Sequence, residues 1–216
     1  MAVSTTHMLL LGAVGLFEPV NGYQIRRELM SWRVDEWANI KPGSIYHGLS
    51  ALTDKGMLLR HMLSDRGRDV AVYELTPTGR ERLDELLMSA LATVDMFDRR
   101  HFNAAFGMLP LLGRERGEKM LVQRREALAA TIASFPDFSD PAAYPYAPPH
   151  ALRGQQLWQI AAVAELEWLE SVIADFRDGT LELFHIDDAV NWAPPADDPG
   201  HQMSRDRERY RRLLDR

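Results

Sequence analysis

Apolar positions recur along this chain at two alternating periods. From Thr6 to Phe17 nearly every residue is apolar, which predicts a short helix buried on all sides. After the turn EPVNG, the segment YQIRRELMSW places Ile25, Leu29 and Trp32 at helical spacing, with Arg26 and Arg27 outside. Asn21 as N-cap, with Gln24 three residues on, predicts a capping box. A third helix is expected over KPGSIYHGLSALTDKG (41–56), opened by Pro42, ended by Gly56 and buried through Ile45, Leu49 and Leu52. MLLRHML (57–63) and VAVYELT (70–76) read as strands of a hairpin whose turn is SDRGRD.

From Pro77 the period lengthens. Leu83, Leu87, Ala90, Val94, Phe97 and His101 alternate steps of four and three, which predicts a heptad-like seam on one long helix. GMLPLLG (107–113) breaks it. A helix follows over about 114–135, then a loop with five prolines (136–149), then a helix over about 155–178 that is apolar around more than half its circumference. Residues 187–203 read as a second loop, and SRDRERYRRLLDR as a short terminal helix. The expected fold class is mainly α with a small β-hairpin: an N-terminal winged helix-turn-helix (1–80), then an all-α dimerisation and effector domain (81–216).

Three helices and a hairpin in this order form a winged helix-turn-helix, whose third helix enters the DNA major groove. That explains the odd outer face of 41–56. Tyr46, His47, Ser50 and Asp54 point away from the buried stripe, and all but Asp54 are short or neutral hydrogen-bonding groups suited to base edges. Gly43 and Gly48 permit close approach of backbone to phosphate or to a neighbouring helix. The N–H groups near Ser44 offer a phosphate seat. Arg66 and Arg68 at the wing turn suit phosphates or a narrow minor groove, whereas Asp54, Asp65 and Asp69 would repel phosphates.

Charge sharpens this picture. The chain of 216 residues carries a net charge of −6. Residues 1–80 hold nine Lys/Arg against eight Asp/Glu, and 81–216 hold 16 against 23. Residues 40–68 hold Lys41, Lys55, Arg60, Arg66 and Arg68 against Asp54 and Asp65, a basic patch on an acidic chain. There is no cysteine, so disulfide and thiolate chemistry are excluded, which suits a cytoplasmic protein. MLLLGAVGLF (8–17) is too short to span a bilayer and lacks a basic residue before it.

The stretch from Leu9 to Leu87 resembles the PadR family of bacterial transcriptional regulators. GLFEPVNGYQIRREL, PGSIYHGLSALTDKGML, the wing and YELTPTGRERL carry the resemblance. It implies a homodimer on double-stranded DNA at an inverted-repeat operator, usually a repressor, often released by a small aromatic effector. The family's DNA-contacting pattern falls on Lys41, Ser44, Tyr46, Arg66 and Arg68, and Tyr23 matches its Gly-Tyr. His47 departs from the family's usual proline or basic residue. The helical remainder is similar to the family's dimerisation domain, here expected to pair through Leu83, Leu87, Val94, Phe97, Trp158 and Leu169.

No catalytic residue, cofactor or metal site is expected. ELFHIDD (182–188) offers Glu182, His185, Asp187 and Asp188 without paired metal-ligand spacing. Trp158, Trp168, Trp192, Phe97 and Phe102 are expected to fill a core or interface in preference to an effector pocket. The competing function is a winged-helix protein–protein adaptor that does not bind DNA.

Overall fold

A computed structural model describes residues 5–181, 183, 194–198 and 200–215. The first helix, α1 (Thr5–Phe17), is the hub of the core. Met8 through Val14 are all buried, as expected of a helix apolar on every side. α2 (Gly22–Ser31) carries the expected capping box: the Gln24 N–H donates to Asn21 Oδ1 at 2.9 Å, and the Asn21 N–H to Gln24 Oε1 at 3.1 Å. A short helix, α3 (Val34–Trp37), intervenes where no element was expected. Its Trp37 Nε1 donates to the Trp32 carbonyl at 2.9 Å. α4 (Pro42–Asp54) follows, with Pro42 in its first turn.

The strands β2 (Leu58–Asp65) and β3 (Arg68–Leu75) form the hairpin, with Leu58 opposite Leu75 and Asp65 opposite Arg68. The expected six-residue turn is only two residues, Arg66 and Gly67, both with positive φ (52° and 77°). That is the twist-matched type I′ geometry of two-residue hairpins. A third strand, β1 (Val20–Asn21), pairs with β3 in the segment expected to be a plain turn, giving the antiparallel order β1-β3-β2.

The expected long helix from Pro77 is two. α5 runs Pro77–Ala92 and α6 runs Arg100–Phe106. Asp95 and Asp98 explain the break, because their carboxylates compete for backbone donors. Asp95 Oδ1 accepts from the N–H of Phe97 (2.8 Å) and of Asp98 (3.1 Å), and Asp98 Oδ1 from that of Arg100 (2.9 Å). The continuous seam therefore does not exist.

α7 (Arg114–Ser134) and α8 (Pro149–Asp178) lie antiparallel, with Gly117 under Phe176, Arg124 on Glu165, and Leu128 clustered with Ala162. α8 begins six residues earlier than its apolar pattern indicated, on the pair Pro148-Pro149, which is well suited to a helix start. α9 (Gly200–Leu214) extends into the segment expected to be loop up to 203.

The dimerisation set needs correction. Leu83, Leu87 and Leu169 are buried in the protomer's own core, in one cluster running from α1 through α5 to α8. They have no surface left for a partner. Val94 and Trp158 are half-buried, and Phe97 is 60 % exposed, edge-on to Trp158 with ring centroids 5.2 Å apart. Glu182, His185, Asp187, Asp188 and Trp192 lie outside the described residues. Among the described residues no acidic or histidine cluster could hold a metal ion, and no helix is long and apolar enough to cross a membrane.

Candidate nucleic-acid interface

α4 has two unlike faces. Ile45, Leu49 and Leu52 are fully buried against the other helices. Lys41, Ser44, Tyr46, His47 and Ser50 are exposed. Gly48 explains how close the helix sits: a Cβ there would overlap Leu10 of α1. Around Gly43, by contrast, a Cβ would meet nothing within 4 Å. Close approach to a helix thus belongs to Gly48, and an open backbone to Gly43. The phosphate seat is narrower than expected, since the Ser44 N–H is spent on the Lys41 carbonyl at 3.0 Å and Pro42 has none.

Tyr46 is neither a core tyrosine nor free of the fold. One edge of its ring passes the start of α2, where a Cβ on Gly22 would stand 3.1 Å from Tyr46 Cε1. The rest of the ring faces solvent. Next to Gly22, Tyr23 is 63 % exposed. Gly22 therefore brings Tyr23 and Tyr46 to one junction of α2 and α4.

A Schellman cap ends α4 and launches the wing. The Gly56 N–H donates to the Thr53 carbonyl (2.9 Å) and the Met57 N–H to that of Leu52 (2.9 Å), with Gly56 at φ 68°. The hairpin is anchored at its base. The Thr76 hydroxyl donates to the Gly56 carbonyl (2.7 Å) and accepts from the Gly79 N–H (3.0 Å). A Cβ on Gly79 would overlap the Met57 carbonyl oxygen, so only glycine lets α5 start this close to the hairpin. At the far end Arg66 and Arg68 are exposed on either side of Gly67.

Sequence reasoning missed the part α9 plays here. Met203, Arg207 and Tyr210, at helical spacing, are buried against the N-terminal module. Asn21 Nδ2 donates to the Tyr210 hydroxyl at 2.9 Å, and Arg207 Nε to the Glu18 carbonyl at 2.7 Å. Burial pushes the Tyr210 phenol above its ordinary range. Arg209 reaches Asp65 beside the wing turn at 2.8 Å. The steps of four and three between Met203, Arg207 and Tyr210 were the available signal, obscured by the arginine in the middle.

Residues 10–85 match the model of the transcriptional regulator PadR-like family. Among solved structures the chain is similar to Bacillus subtilis PadR in complex with operator DNA, at 21 % identity over 78 % of this chain and 98 % of that one, with a TM-score of 0.32. The same Bacillus subtilis protein in complex with p-coumaric acid matches at 20 % identity over 79 % and 99 %, TM-score 0.29. Streptococcus mutans smu.1604c matches at 18 % identity over 78 % and 98 %, TM-score 0.34. No curated protein matches the chain.

Proposed function

We propose, from the match of residues 10–85 to the transcriptional regulator PadR-like family, that the protein works as a homodimeric repressor on an inverted-repeat operator. α4 enters the major groove. Tyr46, His47 and Ser50 meet base edges, Lys41, Ser44 and Tyr23 meet the backbone beside them, and Arg66 and Arg68 reach phosphates from the wing. The observation that carries this is the division of α4, three apolar side chains wholly buried and a polar face exposed.

Residues 81–216 supply pairing and effector response. Support for pairing comes from α8. Leu157 and Ile160 are 63 % and 64 % exposed, and with Ala164 and Trp168 they fall within an arc of about 80° at helical spacing. The arc faces away from Ala162, Leu169 and Ile173, which fill the protomer's core. An apolar stripe of that length on a soluble helix suits a second copy of the same surface. Repression, and release by a small aromatic compound, are what the resemblance of residues 10–85 to that family suggests. The aromatic pairs Phe97–Trp158 and Phe102–Trp168, with centroids 5.2 and 6.0 Å apart, offer matching chemistry.

Selection of bound fragments from the protein's own genome, with and without a panel of small aromatic compounds, tests this. A palindromic site recovered from intergenic DNA, and lost with one of the compounds, is the expected result. Tight capture of a protein partner with no enriched DNA would favour an adaptor.

A further inference from the structure

Asp65 is out of place on a wing that approaches DNA. It closes β2 directly opposite Arg68 and immediately precedes Arg66. Cross-strand partners share a face of the hairpin, so Asp65 and Arg68 lie on the same side of it. Left alone, Asp65 would repel the phosphates that both arginines approach.

α9 meets this charge. Arg209 Nη2 lies 2.8 Å from Asp65 Oδ2 and 2.8 Å from Asp206 Oδ1. Asp206 Oδ2 accepts from Gln24 Nε2 at 3.0 Å, and Asn21 Nδ2 donates to Tyr210 at 2.9 Å. Gln24 and Asn21 are the two halves of the α2 capping box. A continuous chain of polar contacts thus runs from the start of α2 through α9 to the wing turn. Both Asp65 and Arg209 are largely withdrawn from solvent, at 11 % and 24 % side-chain exposure, and α9, which carries Arg209, is seated by buried Met203 and Tyr210. Exposed ion pairs contribute little. This one is a part-buried network on a seated helix, and it holds the carboxylate that directly precedes Arg66.

We propose that Arg209, 144 residues away in the chain, is a positioning residue for DNA binding, which cancels the charge of Asp65 so that, of the two wing aspartates, only Asp69 still opposes the approach of Arg66 and Arg68 to phosphates. The inference rests on the DNA-binding function proposed above. It makes the C-terminal helix part of the DNA-reading head.

The test uses the full-length protein and a duplex obtained from the genomic selection, with affinity read by fluorescence anisotropy across a salt series. Arg209→Ala is expected to weaken binding about tenfold, with the salt slope unchanged. Asp65→Asn alone is expected to bind at least as tightly as wild type. In the double variant the lost affinity returns to within about threefold of wild type, an outcome that loss of structure at Arg209 would not give. Wild-type binding by Arg209→Ala overturns the proposal. So does weakened binding that Asp65→Asn fails to restore while the slope falls by about one phosphate, because Arg209 would then touch DNA itself. Arg66→Ala is the control. If Arg66→Ala binds as wild type, the wing does not touch DNA and this inference fails while DNA binding stands; if no duplex is bound at all, the DNA-binding function itself has failed.

Discussion

Arg124 on α7 and Glu165 on α8 are joined by two hydrogen bonds to one carboxylate oxygen, 2.6 and 2.9 Å long, with both side chains buried. Arg99 takes the other oxygen, so a single carboxylate serves two guanidiniums. Arg124 also lies over the Phe102 ring, 3.8 Å from its centroid, and donates to the Thr93 carbonyl at 2.6 Å. Burial lowers the proton affinity of Arg124, and Glu165 opposes that shift. Glu165→Ala leaves these positive charges facing each other, with Arg124 still buried. It is expected to cost about 3–5 kcal/mol in chemical denaturation, the range for breaking a buried pair by removing one partner. A loss below about 1 kcal/mol would mean water reaches the site.

Much of the N-terminal module was legible in the sequence because its signals are local. The Asn21–Gln24 box, Pro42, Gly56 and the buried stripe Ile45-Leu49-Leu52 each act within a few residues. What failed depended on distant partners or on competition. Leu83 and Leu87 repeat like a dimer seam, but α1 and its neighbours already cover them. Asp95 and Asp98 end a helix whose apolar spacing would have carried on. Val20 and Asn21 become a strand only because β3 lies alongside. Arg209 gives no sign in the sequence that its partner is Asp65.

Arg66 sits at φ 52°, a left-handed conformation that disfavours side chains other than Gly, Asn and Asp. Arg66→Asn creates the Asn-Gly pair preferred in type I′ turns. It is expected to stabilise the protein by about 0.5–1 kcal/mol, raising Tm by roughly 1–4 °C, while weakening DNA binding. Calorimetry and anisotropy on the same sample check both halves. A variant that is less stable would show that the arginine's own contacts hold the turn.

His7 on α1 is held below its ordinary imidazole range by burial first, then by Lys55 and Arg82. The unfolded chain takes up this proton near pH 6.5, whereas the folded chain resists it. The contribution to stability is therefore complete above that pH and is lost as pH falls toward the folded value. Unfolding free energy is expected to drop between pH 7.5 and about 5.5, and His7→Gln to flatten that part of the profile. An identical profile in the variant would assign the pH dependence to other groups.

Ile160 lies on the outward apolar arc of α8 and is 64 % exposed in the protomer. Ile160→Asp should therefore leave the fold intact and split the dimer. Light scattering after size exclusion is expected to give twice the chain mass for wild type and the chain mass, 24.6 kDa, for the variant, with Tm unchanged at matched low concentration. A variant that remains dimeric would move the interface elsewhere.

Under the proposed function, the outward face of α4 and the wing arginines are expected to make DNA affinity both salt-dependent and sequence-dependent. Anisotropy titrations of the selected duplex, and of duplexes with single base changes, across 50–200 mM salt measure both at once. The expected log–log slope is roughly −0.9 for each phosphate neutralised. Arg66→Ala should weaken all duplexes alike and reduce the slope by about one unit, whereas His47→Ala and Ser50→Ala should shift preference among bases by roughly 1–3 kcal/mol with the slope unchanged. Affinity insensitive to salt, or a base preference untouched by all three substitutions, would contradict DNA reading by this face.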